Sequence, residues 1–408
     1  MTARAILIFV LTYAGIALGH VPGLVIDRTG IALLGAIAMI GFDVMTTEEA
    51  FHSIDIPTIL LLYSLMVVSA QFRLSGFYSR TALAITRFMD RPVRFMGIMM
   101  LVSAVFSAVL ANDIVCLAFT PVLCFSLLEA GLNPTPFLLG LAISSNIGSA
   151  ATIIGNPQNM LIGQVGSLRF GAFFSWCIVP TVLSLMAAYA ILIVMFRNSF
   201  HGTGPGARRG PSWPSYDAHQ THKGLVVTTI LIAMFFTPIP RELTAITLAG
   251  ALLCSRKMAT RSILGLIDWH LITLFCALFI VIRGVEMSGA PGLLMEYLAG
   301  RGVNMSNAFS LTIVSTVLSN AVSNVPATML LLKLIRPVTD VPYYVLALSS
   351  TFAGNLITIG SIANLITFEQ AKEYGVEIGF WEHARVGIPV TIASIAIVLV
   401  WIRFAQAL

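Results

Sequence analysis

Along the chain, unbroken apolar stretches alternate with short polar interruptions. In the first half the apolar segments fall near 5–20, 29–42, 56–72, 95–110, 114–128, 136–154 and 172–196. Runs of about 17–25 apolar residues are long enough to cross a hydrocarbon core of about 30 Å as helices. Transmembrane β-strands would instead show segments of roughly 10 residues with alternating polarity. These runs are continuous and rich in Leu, Ile, Ala, Gly and Met, so the pattern predicts an all-α polytopic membrane protein. The first run, Ala5 to Gly19, has the length of a signal peptide. It lacks a small-residue cleavage site and further spans follow, so it is read as a mature helix.

Composition agrees with this reading. Of the 408 residues, 57% are hydrophobic and 10% charged, with a mean hydropathy of +0.92; soluble domains carry about 25% charged residues. The net charge of +5 is spread over loops and includes no basic block suited to nucleic acid. Cys116, Cys124, Cys177, Cys254 and Cys276 lie in apolar stretches without CxxC spacing, which makes them packing residues rather than disulfides or a zinc site.

The polar interruptions repeat. "IDIPTILLLYSLMVVSAQFRLSG" begins at Ile54, and "IDWHLITLFCALFIVIRGVEMSG" begins at Ile267, an offset of 213 that also relates Arg28 to Arg241. "SAVLAN" (Ser107–Asn112) is echoed by "STVLSN" (Ser315–Asn320), and "TIIGNPQN" (Thr152–Asn159) by "TIGSIAN" (Thr358–Asn364). Between the copies lies a segment rich in Gly, Pro and charge. The chain divides into a first repeat (1–197; scaffold helices 5–75, hairpin and broken helix 93–197) and a cytoplasmic linker (198–223). A second repeat follows (224–408; scaffold helices 224–290, hairpin and broken helix 303–408).

In the first repeat the fourth and fifth apolar segments are separated only by "AND" (Ala111–Asp113). A connection between full spans should reach the interface, where basic and aromatic anchors gather. A bare Asn-Asp between Val-Leu and Ile-Val predicts a re-entrant helical hairpin, whose tip is tolerated at membrane depth only when buried in protein or facing a water-filled cavity. Five spans plus one hairpin per repeat is odd, so the repeats insert with opposite topology, with broken helices at the midplane. Alternating the loops puts 15 of the 23 Lys and Arg on one side, among them Arg28, Arg73, Arg208, Arg209, Lys257 and Lys372. Arg169, Arg241, Arg283, Lys333 and Arg336 fall on the other. The first side is expected to be cytoplasmic, with both termini extracytoplasmic and the protein in a bacterial inner (plasma) membrane.

Four polar breaks are the candidates for chemistry. The first hairpin tip carries Asn112 and Asp113, with Thr120 two turns later; the second carries Ser319, Asn320, Ser323 and Asn324. The first broken helix carries Ser145, Asn146, Thr152, Gly155, Asn156, Pro157 and Asn159, and the second Asn355, Thr358, Gly360, Ser361 and Asn364. Unwound helix ends expose carbonyls to cations and amide N–H groups to anions, and Asn, Ser and Thr add neutral donors and acceptors. A small anion beside Na+ would suit such a site, with Na+ oxygens at Asn112, Asn146, Asn320 and Asn355. The same residue types also glue membrane helices together, but four breaks repeated in register exceed what glue requires. Asp113, aligned with Ala321, reads either as an ion-coupling carboxylate or as a helix cap. Asp55 and Asp268 read as caps, and Arg283 and Glu286 as interfacial; Lys333 and Arg336 end the second hairpin arm and read as snorkelling or complementing a helix C-terminus, and His20, His52 and His270 as structural or interfacial.

The motifs "AND" with "FTP", "SSNIGSAATIIGNPQN", "SNAVSNVPA" and "GNLITIGSIAN" resemble the ion transporter superfamily. That group includes divalent anion/sodium symporters, citrate transporters and ArsB/NhaD-type permeases. "ANDIVCLAFTP" is more similar to the ArsB/NhaD and generic anion-permease branch. The dicarboxylate symporters' Ser-Asn-Thr signature is broken here, by Ile147 after Asn146 and by Ala321 after Asn320. The resemblance implies a homodimeric scaffold and a moving transport domain that carries substrate by an elevator-like motion. The expected function is secondary transport of a small inorganic oxyanion or carboxylate, coupled to Na+ or H+, with no other cofactor. The alternative is an ArsB/NhaD-like efflux protein that exports a metalloid oxyanion or exchanges Na+ for H+. No HExxH, paired aspartates or Ser–His dyad supports an enzyme, and a channel would not need breaks paired across inverted repeats.

Overall fold

The computed structural model describes residues 2–19, 23–200, 215–301, 304–305, 307–335 and 338–407. Residues 201–214 of the linker, including Arg208 and Arg209, lie outside the described residues, as do His20 and Arg336. Ten helices precede the linker: α1 (Thr2–Leu18), α2 (Arg28–Gly41), α3 (Thr47–Ser53), α4 (Ile56–Leu74), α5 (Phe77–Thr86), α6 (Pro92–Val109), α7 (Asn112–Glu129), α8 (Pro134–Ser149), α9 (Pro157–Val165) and α10 (Phe170–Phe196). Ten follow it: α11 (Ala218–Met234), α12 (Arg241–Leu253), α13 (Thr260–Leu264), α14 (Trp269–Met287), α15 (Ala290–Gly300), α16 (Ala308–Val322), α17 (Asn324–Leu334), α18 (Val341–Ala353), α19 (Ile362–Lys372) and α20 (Phe380–Ala407).

The two sets match in order and character, so the molecule is two copies of one helical unit. Among the described residues, six helices are long and apolar enough to cross a membrane. α8 (16 residues) and α18 (13 residues) are not: at 1.5 Å rise per residue they reach about 20–24 Å, short of a hydrocarbon core. They are half-spans continued, after a break, by α9 and α19. Every residue of α8 is buried, which places it in the protein core rather than against lipid.

The copies interlock reciprocally. α2 packs on α14 while α12 packs on α4; α7 packs on α19 while α17 packs on α9; α10 packs on α20. Such paired, exchanged contacts are the mark of a two-fold relation, and with inverted topology the axis lies in the membrane plane.

Local chemistry sets the helix starts. Asp55 accepts from Thr58 N–H (2.8 Å) and Asp268 from Leu271 N–H (2.9 Å), so both are caps as their sequence positions suggest. α11 begins inside the polar stretch read as linker, because Asp217 caps it through Gln220 N–H at 3.0 Å. Gln220 is then buried against Gln71, whose Nε2 donates to the Gln220 side-chain oxygen at 3.0 Å.

One sequence expectation needs correction. "SAVLAN" and "STVLSN" do begin at equivalent places in α6 and α16: Ser107 pairs with Ser145, and Ser315 with Ser349. At the tips the register fails. α6 stops at Val109, whereas α16 runs one turn further to Val322, so the second hairpin breaks at Ser323 (φ 76°) and its second arm begins at Asn324. The positional counterpart of Asn112 is therefore Asn324, and that of Asp113 is Val325 rather than Ala321.

Candidate functional site

The site forms where the α8–α9 break meets the α18–α19 break. α8 ends at Ser149, and the chain turns back into helix at Asn156, whose Oδ1 accepts from Asn159 N–H at 2.9 Å with Pro157 filling the first helical position. Asn159 Nδ2 donates to the Ser149 and Thr152 carbonyls (3.3 and 3.0 Å), which the helix end would otherwise leave unpaired. The second break repeats this: Ser361 caps α19, and Asn364 Nδ2 donates to the Gly354 carbonyl at 2.9 Å. Gly155 and Gly360 sit where the chain crosses back over the preceding helix end. A Cβ on Gly155 would collide with the Ser149 carbonyl, and one on Gly360 would lie 3.2 Å from the Gly354 carbonyl.

Asn146 is the central node. Its Oδ1 accepts from Ser361 Oγ (2.8 Å) and Asn112 Nδ2 (3.4 Å), and its Nδ2 donates to Asn355 Oδ1 (2.9 Å) and Asn364 Oδ1 (3.1 Å). Ser145 Oγ donates to the Asn112 carbonyl at 3.1 Å, tying the first hairpin to α8. Asn156 Nδ2 reaches Thr351 Oγ1 across the repeats at 3.2 Å, the counterpart of the Ser361–Asn146 bond. Thus the polar residues of both breaks and the first tip form one buried network.

Several polar atoms around it have no protein partner: Ser319 Oγ, Asn320 Oδ1, Asn324 Oδ1, Asn355 Nδ2, Thr358 Oγ1 and Asn159 Oδ1. Buried groups left so cost about 1–3 kcal/mol each, which a bound solute or water can offset. Of the proposed Na+ oxygens, those of Asn146 and Asn355 already accept hydrogen bonds, whereas Asn320 Oδ1 has no protein partner. Asn320 Nδ2 is anchored on the Ala353 carbonyl at 3.0 Å.

A cavity of about 40 Å³ opens on this network, lined by Asn112, Asp113, Asn146, Asn324, Thr351 and Ser361 among others. An adjoining one of about 130 Å³ shares Asn112, Asp113 and Asn156 and extends to Arg73 and Asp268. Asp113 borders both. It lies in the first turn of α7, yet that helix has no side-chain cap, so the capping reading of Asp113 is not what the geometry shows. No Lys or Arg lines the smaller cavity.

Not every candidate joins the group. Thr120 lies two turns down α7 with its hydroxyl on the Cys116 carbonyl (2.7 Å). Thr152 turns its hydroxyl to the Ala108 carbonyl, bracing the break against α6. Ser323 lines the smaller cavity, and Pro157 borders both. No group of three or more His, Cys, Asp or Glu that could hold a metal ion occurs among the described residues.

Three residues escaped sequence reasoning. Thr351 lies 205 residues after Asn146, the same step that relates Gly155 to Gly360, so the offset alone could have found it. Gln158 Nε2 also donates to Thr351 Oγ1, at 3.3 Å. His383, at the start of α20, is fully buried with its ring against Phe368, and neither ring nitrogen has a protein partner. One turn on, Gly387 presses against the Asn355 carbonyl.

Comparison with known proteins agrees with this architecture. Residues 7–340 match the model of the citrate transporter family. An uncharacterised transporter of Mycobacterium tuberculosis, Rv2684, is 31% identical over 99% of each chain. The silicon efflux transporter LSI3 of Oryza sativa subsp. japonica is 28% identical over 92% of each chain. The crystal structure of the YdaH transporter of Alcanivorax borkumensis superposes with a TM-score of 0.59 at 12% identity, covering 99% of this chain and 98% of that one. At that identity the likeness concerns the fold alone.

Proposed function

The chain belongs to the citrate transporter family, a family of membrane transporters and not of enzymes, and on that premise we propose that it is a secondary active carrier of a small oxygen-rich solute. The observation that carries this reading is the meeting of two inverted half-helix breaks at Asn146. Among the described residues, Asn146 is bonded to the second break and to the first hairpin while itself belonging to the first break. A site built from both repeats can be exposed to either side by moving one set of helices against the other. In this reading α6–α10 and α16–α20 move as an elevator against a scaffold of α1–α5 and α11–α15, which pairs with a second copy. The basic loops face the cytoplasm of a bacterial inner membrane.

Asp113 is the coupling residue in this proposal. It is a carboxylate at membrane depth without a capping bond, at the junction of the two cavities; its charge is compensated by Na+ or H+ when solute is carried. A small inorganic oxyanion or carboxylate is the expected cargo, taken by the neutral amides and hydroxyls.

A second reading, export of a metalloid oxyacid, is supported by one specific feature. The absence of Lys or Arg from the smaller cavity suits an undissociated hydroxide better than a carboxylate, whose charge would need a fixed cation. Silicon efflux by the rice relative points the same way.

Counterflow in proteoliposomes tests both readings. Labelled citrate, phosphate, silicate and arsenite would each be offered against the unlabelled solute inside. The expected result is exchange of one of these without net driving force, abolished by Asn146→Ala. Flux without counterflow would mark a channel, and full exchange by Asn146→Ala would remove the site from this network.

A further inference from the structure

The two ends of the molecule differ in how the half-helices are held. At one end the Arg241 guanidinium, at the start of α12, grips the C-terminal end of α9. Nη2 donates to the Gly163 carbonyl at 2.7 Å and Nη1 to the Leu168 carbonyl at 2.9 Å. Nη2 also lies 3.3 Å from Gln164 Oε1, while Gln164 Nε2 donates to Glu242 at 3.1 Å. The Gly163 carbonyl already accepts from Leu168 N–H at 3.0 Å, so the guanidinium adds a second donor there and complements the negative helix end.

Lys333, ending α17, pairs at the same end with Glu286 of α14 at 3.3 Å. That this is one end follows from the contacts opposite. Lys223 Nζ caps α12 at the Leu252 carbonyl (3.0 Å), and the Asp217 amide donates to the Ser75 carbonyl (3.0 Å). The start of α11, the end of α12 and the end of α4 therefore cluster at the Arg73 end, far from Arg241.

At the Arg73 end the equivalent grip is not made among the described residues. The counterpart of Arg241 is Arg28, by the offset of 213. The counterpart of Gln164 is Glu369, by the offset of 205 that relates Asn159 to Asn364. Arg28 lies beside Gly19 instead, and Glu369 is paired only with its own helix, to Lys372 at 2.7 Å, with its side chain 67% exposed. The 130 Å³ cavity that leads to Asp113 opens on this same end, past Arg73 and Asp268. The half-helix is thus clamped at the Arg241 end, beside a cavity of about 990 Å³ that does not include Asp113, while the cavity that reaches Asp113 lies toward the Arg73 end.

We propose that Arg241 and Arg28 are alternating clamps. In this conformation Arg241 holds the end of α9; in the opposite one Arg241 lets go and Arg28 takes the end of α19, with Glu369 as its ion-pair partner. Alternating access moves one bundle against the other around the site, which in a two-fold related pair of repeats lets a contact at one end be exchanged for its equivalent at the other, and contacts made and unmade in this way give discrete states rather than a continuum. The repeats are not identical at this point. The first clamp sets Arg241 against the Gln164 amide with Glu242 beside it, whereas the second would set Arg28 directly against the Glu369 carboxylate. This inference rests on the alternating-access reading above.

The test uses the full chain with Cys254→Ser and Cys276→Ser, leaving the three buried cysteines in place. Arg28→Cys and Glu369→Cys are added, and disulfide formation under mild oxidant is followed by gel shift alongside counterflow. The expected results are a crosslink that forms in the folded protein and is reversed by reductant, and a severalfold rise in its rate when Arg241→Gln is added. Absence of the crosslink in folded protein, or a rate indifferent to Arg241→Gln, overturns the proposal. Absence of counterflow in the parent chain instead fails the carrier reading. Should the cysteine pair not fold, the charge pair serves: Arg28→Glu should slow exchange at least tenfold and Arg28→Glu with Glu369→Arg should restore it. Normal exchange in Arg28→Glu alone, or no rescue, overturns the proposal equally.

Discussion

At the scale of single residues, the network separates side chains that build the site from those that remain free to act. Asn146 spends both amide ends on four protein partners, so it organises the break more than it offers itself to a solute. Asn146→Ala should therefore cost stability as well as transport, on the order of 2–3 kcal/mol, since several buried partners lose a bond at once. Its thermal midpoint in detergent checks this; an unchanged midpoint would mean the network is not formed. Asp113 is the opposite case. Asp113→Asn keeps the shape and removes no capping bond, so its midpoint should stay within about 2 °C, a shift on the order of 0.5 kcal/mol or less. The Na+ or pH dependence of counterflow should flatten. Ion dependence identical to the parent would remove Asp113 from coupling.

At the scale of elements, the breaks were legible because helix breakers are costly in lipid unless they do something. Asn156, Pro157 and Gly155 in the first repeat and Gly360 and Ser361 in the second advertise their turns. The hairpin tips were less legible. "STVLSN" shares Ser, Val, Leu and Asn with "SAVLAN", yet α16 runs on past it while α6 stops, because tertiary packing rather than local sequence decides where a membrane helix ends. His383 was invisible for another reason: nothing near it in sequence is polar in register, and its surroundings come from α19.

Close packing of elements also makes a prediction. Gly148, in the last turn of α8, lies on the backbone of Ala104 in α6, and an added Cβ would overlap that backbone. Since backbone cannot step aside as a flexible side chain does, Gly148→Ala should destabilise by about 1–3 kcal/mol. Gly250→Ala, at a helix position with open space around it, should be neutral. Thermal unfolding of the two variants side by side decides the point; equal midpoints would mean that α6 and α8 do not approach this closely.

At the scale of the molecule, the repeat was readable as an offset but the way the copies interlock was not. A constant offset says that two units share a design; it does not say that α2 lies on α14 and α12 on α4, or that α7 lies on α19 and α17 on α9. These contacts take each copy's buried faces from the other copy. Neither half then has a complete core. Small residues and amides that seal against the partner repeat, Asn146 and Thr351 among them, would face lipid with unpaired polar groups if a half were alone. The halves should therefore be interdependent yet separable at the linker. Residues 1–200 and 215–408 expressed as two chains in one cell should copurify through a tag on either one and elute as one species of the parent's size. Each expressed alone should aggregate or be degraded. A monodisperse, stable first half on its own would mean that the repeats fold independently, and that the reciprocal helix contacts contribute little to holding the site together.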